Sequence, residues 1–304
     1  MRIVSLLPSA TEIVCALGAG EALVGVSHEC DFPPEVRRLP AVTRPKLDVH
    51  RDSRAIDADV RRLVADGLGI YAIDVERLAA LRPDIVVTQH QCDVCAVSFA
   101  EVDAAVRATL GADVAIVSLA PRSLADVWED IERVARALDR VAAGRALRAD
   151  IEARLAELAA RAAGDGTPTI ACVEWLDPLM FAANWMPELV QLAGGAYPFA
   201  RAGEHSAPCD WSVLPAADPD VVVLIPCGFA IPQTLREIDA VRRRPEWRAL
   251  RAVQTGRAWI ADGNAYFNRS GPRLVESAEI LAGLLHPERF GRGMIDGACV
   301  PLPP

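Results

Sequence analysis

The sequence predicts an α/β protein of two similar lobes joined by one long helix, and three observations carry that expectation. Short Val- and Ile-rich runs alternate with longer stretches of helical period, the pattern of a parallel sheet covered by helices. A proline-free stretch dominated by Ala, Leu, Arg and Glu lies mid-chain, from about Arg140 to Ala163. A weak internal repeat flanks it. Leu78 to Val87 and Leu214 to Val223 each read as a helix end, a Pro-Asp turn (Pro83-Asp84 and Pro219-Asp220) and a buried strand.

In chain order, Ile3 to Leu7 is the first strand. Ser9 followed by Glu12 forms a capping-box pattern, opening a helix that carries Ile13, Val14, Ala16 and Leu17 and stops at Gly18 or Gly20. Strands follow at Leu23 to Val26, Asp84 to Val87 and Val114 to Leu119, with helices between them. Ser123 to Leu138 and Arg140 to Ala163 then read as two helices, the second keeping Leu147, Ile151, Leu155 and Leu158 on one apolar stripe. At about 1.5 Å per residue that second helix spans about 36 Å, the width of a lobe. Gly164-Asp165-Gly166-Thr167-Pro168 ends it, and strands at Thr169 to Glu174, Asp220 to Ile225 and Arg257 to Ala261 follow. The organisation is therefore a Rossmann-like lobe over 1–121, a helical segment over 122–164, a second Rossmann-like lobe over 165–290 and an aperiodic, proline-ended tail over 291–304. Ligands of such sheets sit beyond strand C-termini, so a cleft between the lobes is the expected binding place.

Composition narrows the partners. With 304 residues, 52% hydrophobic and 24% charged, the chain is long enough for two cores and is not of a disordered type. A net charge of −9 without a compensating basic run argues against nucleic acid and anionic membrane surfaces. Arg242, Arg243 and Arg244 form the densest basic cluster, on what reads as a solvated helix face. Ser9, Thr11 and Glu12 interrupt the N-terminal apolar run before it becomes signal-like, and no stretch reaches the roughly 18–20 apolar residues of a membrane span. A cytoplasmic location is expected. The eight cysteines are then thiols or ligands rather than a disulfide framework.

Arg2-Ile3-Val4-Ser5-Leu6-Leu7-Pro8-Ser9-Ala10-Thr11-Glu12, the Leu78-x-x-Leu-x-Pro-Asp-x-Val-Val pattern and the long helix together resemble the helical-backbone (class III) substrate-binding proteins of ABC importers, most closely their cobalamin-binding branch. The resemblance covers roughly residues 2–288 and implies the two-lobed fold and the cleft more strongly than any one ligand. It also implies an exposed acidic residue on each lobe for permease docking, shortly before the Pro-Asp turn. Glu76 fits that place, whereas Ser212 occupies the second one with only Asp210 nearby. That departure argues against docking and for a cytosolic offshoot, the rival being an importer receptor whose leader is missing.

Unusual polar and aromatic groups gather just past the predicted strand ends. His28 and Cys30 follow the second strand; His90, Cys92 and Cys95 follow the Pro83-Asp84 strand; Glu174, Trp175, Asn184 and Trp185 follow the first strand of the second lobe. Cys227 and Phe229 follow its repeat strand, and Tyr266 the last. A broad flat corrinoid needs apolar walls, for which Trp175, Trp185, Trp211, Phe229, Tyr266 and Phe267 are candidates, and an imidazole facing the metal, from His28, His90 or His205. His28, Cys30, Cys92 and Cys95 form a soft donor set suited to Zn or an iron–sulfur centre, with a pair of reduced thiols as the plain alternative. Cys15 and Cys172 read as core filler, and Glu174 as a buried carboxylate that needs a ligand or a salt bridge to Arg269 or Arg273. No nucleophile elbow, phosphate loop or His-Glu-x-x-His is present, so a thiolate- or metal-dependent enzyme is permitted by the cleft but not indicated by motif. Binding of a cobalamin-like corrinoid or another metal chelate, a small-molecule ligand, is the function expected.

Overall fold

The structure, a computed structural model, describes residues 1–66, 69–90, 99–111, 113–164 and 166–303. The chain divides into two compact units: Met1–Arg51, Ala55–Pro121 and Ala125–Asp150 form the first, and Asp52–Arg54, Arg122–Leu124 and Ile151–Pro304 the second.

In chain order the first half of the sequence forms β1 (Ile3–Ser5), α1 (Pro8–Ala16), β2 (Leu23–Val26), β3 (Thr43–Pro45), α2 (Ser53–Ala65), β4 (Tyr71–Ile73), α3 (Val75–Leu81), β5 (Ile85–Gln89), α4 (Phe99–Leu110), β6 (Ala115–Leu119), α5 (Leu124–Ala137) and α6 (Val141–Ala162). Four of these strands make a parallel sheet in the order β2-β1-β5-β6. Every residue of β1 and β5 is buried, as expected of strands covered on both faces. β3 and β4 pair antiparallel as a separate two-stranded ribbon that periodicity did not reveal.

The capping-box expectation is corrected. Leu7 is the extended N-cap of α1, Pro8 sits in its first turn, and Ser9 and Glu12 are both buried within the helix. Proline's preset φ and missing N–H suit the first helical position, so Pro8 opens the helix instead of Ser9.

The second half forms β7 (Ile170–Trp175), β8 (Leu179–Phe181), α7 (Met186–Leu192), β9 (Pro208–Cys209), α8 (Val213–Ala217), β10 (Val221–Leu224), α9 (Ile231–Arg242), α10 (Pro245–Arg248), α11 (Arg251–Gln254), β11 (Ala258–Ala261), α12 (Leu274–Leu285), α13 (Pro287–Phe290) and β12 (Cys299–Pro301). Its sheet runs β12-β11-β10-β7-β8-β9, parallel through β11, β10 and β7 and antiparallel outside them. The tail expected to be irregular supplies the edge strand β12, with Leu302 donating its N–H to the Ala258 carbonyl at 2.8 Å. A three-residue strand closed by prolines carries no period, and only pairing with β11 defines it.

The internal repeat is a repeat of structure. α3 ends on Arg82 at φ 41° and α8 on Asp218 at φ 40°, each followed by proline, aspartate and a buried strand. The aspartates do the same work. Asp84 accepts the Arg2 N–H at 2.6 Å ahead of β1, and Asp220 accepts the Thr169 N–H at 2.8 Å ahead of β7.

Candidate functional site

In the first unit the chain leaving β2 enters the segment Ser27–Asp31. His28 is partly buried there, and one oxygen of the β3–β4 ribbon holds it. Its Nδ1 lies 2.7 Å from Thr43 Oγ1, and its backbone N–H donates to that oxygen at 3.1 Å. Thr43 donates its own hydroxyl proton to Ser27 Oγ at 3.0 Å. Tyr71, from β4, meets the His28 ring edge-on at a centroid distance of 5.1 Å and donates its hydroxyl to Glu29 Oε1 at 2.6 Å. Burial lowers the His28 imidazole from its ordinary histidine value, because the charged ring is the form that loses solvent.

Cys30, two residues on, points elsewhere. It is 5% exposed, and its Sγ lies 3.0 Å from the Thr11 hydroxyl, which donates to Ser5 at 2.8 Å. Cys30 thus packs on α1, while His28 is tied to the ribbon. Cys92 and Cys95 lie outside the described residues. Among the described residues no group of three or more His, Cys, Asp or Glu could hold a metal ion, so the expected Zn or iron–sulfur centre gains no support. His90 is exposed, its N–H bound to the Leu119 carbonyl at 2.8 Å.

In the second unit, adjacent strands bring several of the expected residues together at their carboxyl ends. Glu174, the last residue but one of β7, lies beside Cys227, whose N–H donates to the Glu174 carbonyl at 3.1 Å. Trp175 packs edge-on against Phe229 at 5.2 Å, and the Asn264 N–H donates to the Phe229 carbonyl at 3.1 Å. Gly263 makes this convergence possible, because a Cβ there would collide with the backbone at Ile225 and Pro226. Glu174 finds neither of the arginines expected for it. Its partner is the Ser206 hydroxyl at 2.6 Å, and that hydroxyl also accepts the Ala183 N–H at 3.1 Å. Burial pushes the Glu174 carboxyl up, outweighing the two hydrogen bonds that pull it down, so it is protonated over a wider pH range than an ordinary glutamate.

The aromatic candidates divide by burial. Trp185, Trp211, Phe229 and Phe267 are each 6% exposed or less. They pack the core rather than offer open walls, a correction with a simple cause: spacing past a strand end does not say which way a ring turns. Trp185 also spends its indole N–H on the Phe267 carbonyl at 2.8 Å. Phe267 holds a φ of 63°, a rare conformation for a bulky residue. Its backbone is fixed on both sides, by the Trp185 indole and by the Ser277 hydroxyl accepting its N–H at 3.0 Å. Trp175 and Tyr266 stay partly exposed, with the Arg273 guanidinium 4.5 Å above the Tyr266 ring. Asn184, also partly exposed, sits at φ 52° with its N–H on the Glu204 carbonyl at 2.8 Å.

Cys172 is fully buried and its thiol is pushed up by burial, as expected of core filler; Cys15 is only partly covered, and burial raises it to about 11. Glu76 is exposed in the first turn of α3, and Ser212 is exposed as the N-cap of α8. Thr43, Tyr71 and Ser206, which hold the two anchored groups, escaped sequence reasoning. A Thr or Tyr inside a three-residue ribbon strand gives no local signal.

The model of the periplasmic binding protein family matches residues 3–265. At 23% identity the chain aligns with YvrC of Bacillus subtilis, an uncharacterised ABC transporter substrate-binding lipoprotein, over 95% of this chain and 81% of that protein. At the same 23% it aligns with the vitamin B12-binding protein of Pectobacterium atrosepticum over 93% and 88%. Among solved structures the periplasmic haem-binding protein RhuT of Roseiflexus shares the fold, with a TM-score of 0.69 at 24% identity over 94% of this chain and 97% of that one. No helix among the described residues is long and apolar enough to cross a membrane. The chain belongs to the periplasmic binding protein family.

Proposed function

We propose that the chain binds a planar metal chelate of the corrinoid or haem class as cargo, through side chains at the carboxyl ends of its sheet strands. The carrying observation is the ring furniture at those ends: His28 braced by Tyr71 in the first unit, and Trp175 backed by Phe229 in the second. A flat macrocycle needs ring faces with a few fixed polar groups beside them, and Glu174, Asn184, Cys227 and Tyr266 supply such groups in the second unit. The relatives support this class, since one is named for vitamin B12 and another for haem. They give no support to the cytoplasmic placement expected from the sequence, one being named a lipoprotein and another periplasmic. A thiolate enzyme is disfavoured by Cys30, whose sulfur is enclosed against Thr11.

The test is titration with ferric haem, diaquacobinamide and cyanocobalamin, followed by tryptophan quenching. At least one should saturate with a dissociation constant below about 10 µM. Failure of all three at about 100 µM, about −5.5 kcal/mol on the affinity scale, would end the proposal.

A further inference from the structure

We propose that His28 is the axial ligand the protein offers, through Nε2, to the metal of a planar chelate with an exchangeable axial position; this rests on the chelate-binding reading above. The argument is an accounting of one oxygen. Thr43 Oγ1 has a single proton and two lone pairs. The proton goes to Ser27 Oγ at 3.0 Å, and the His28 backbone N–H takes one lone pair at 3.1 Å. The contact left, 2.7 Å from His28 Nδ1, must then be a bond that the ring donates. The tautomer is thereby fixed with its proton on Nδ1 and its free lone pair on Nε2.

Among the described residues no hydrogen bond engages Nε2. Such an arrangement, one ring nitrogen donating to the protein and the other left basic, is how histidine is prepared for metal. The ring is also held in orientation, by the edge of Tyr71 at 5.1 Å, itself fixed through its hydroxyl to Glu29 at 2.6 Å. In the binding step the Nε2 lone pair replaces a metal-bound water, which leaves; no electron is transferred. The cargo class follows: ferric haem and cobinamides with water in an axial place qualify, whereas cyanocobalamin, with cyanide and its own base on cobalt, does not coordinate.

The experiment uses the full chain with ferric haem and with diaquacobinamide, binding being read by tryptophan quenching and coordination by the visible spectrum. Electron paramagnetic resonance of the haem complex gives a readout that needs no variant. Unmodified protein should give an imidazole-ligated spectrum with nitrogen coupling. His28→Ala should bind at least about tenfold more weakly with a water-ligated spectrum, and added imidazole should restore the band. Thr43→Val, which removes the tautomer lock, should weaken coordination more than quenching. His50→Ala, at an exposed histidine given no part in binding, should change neither. Saturable quenching with a water-ligated spectrum in unmodified protein, or identical spectra with and without His28, overturns the axial role and leaves chelate binding standing. Absence of quenching with both probes overturns chelate binding itself and the axial role with it.

Discussion

Asp130 shows how a single side chain ties this fold to pH. It lies on α5 at 2% exposure, accepts the Ala120 N–H at 3.1 Å and pairs with Arg133. Burial pushes its carboxyl up to about 6, against the lowering pull of Arg133 and the Ala120 bond. The unfolded chain releases that proton near its ordinary value of about 3.9, so between roughly pH 4 and 6 the native state holds more protons than the unfolded one. Stability from this group is therefore fully present below about pH 4 and is lost as the pH rises through about 6. Denaturant midpoints at pH 5 and pH 7 should carry a contribution of about 1 kcal/mol favouring pH 5, and Asp130→Asn should remove it. An unchanged pH dependence in the variant would show that Asp130 does not titrate in that window.

At the scale of elements, the Pro-Asp turns are joints at which one carboxylate organises two strands. Asp220 binds the Thr169 N–H at 2.8 Å, the Thr169 hydroxyl at 3.0 Å and Arg251 at 2.9 Å, so it ties the entry of β10 to that of β7. Asp220→Ala should cost about 1–3 kcal/mol in chemical denaturation, because the Thr169 N–H loses its acceptor at a partly covered strand entrance. A loss within about 0.5 kcal/mol, the ordinary surface range, would show that water replaces the carboxylate. These joints were legible in the sequence, since a helix end, Pro-Asp and an apolar run recur together in both halves. So were β1, β5 and β10, whose burial on both faces writes an unbroken Val and Ile run. The ribbon of β3 and β4 and the edge strand β12 were not, because three residues show no period and their pairing is decided by partners distant in sequence. The site divides along the same line. His28, just past β2, and Glu174 and Trp175, the last two residues of β7, could be read from their place at strand ends. Thr43, Tyr71 and Ser206 arrive through tertiary contacts, and the inward turn of Trp185 and Phe229 follows from packing that spacing does not encode.

For the whole molecule, the family and its fold extend over most of the chain, yet relatives with this fold are named for vitamin B12 and for haem alike. Fold therefore leaves the cargo open, and only side-chain chemistry selects it. Mass action turns that selection into a measurement on the intact protein. A ligand that binds only the native state stabilises it by about 2.7 kcal/mol at a hundredfold excess over its dissociation constant. At about 2–4 °C per kcal/mol for chains of 150–250 residues, the melting temperature should rise by roughly 5–10 °C. If His28 supplies an axial bond, diaquacobinamide gains that bond and cyanocobalamin does not, although both bring a corrin ring to the same walls. A tenfold affinity difference is about 1.4 kcal/mol, so at equal concentration the cobinamide should melt the protein roughly 3–6 °C higher than cyanocobalamin does. In His28→Ala the two shifts should become equal. A larger shift for cyanocobalamin in the unmodified protein would place the recognition in contacts to the nucleotide loop that cobinamide lacks, and selection would then rest on the periphery of the ligand rather than on its metal.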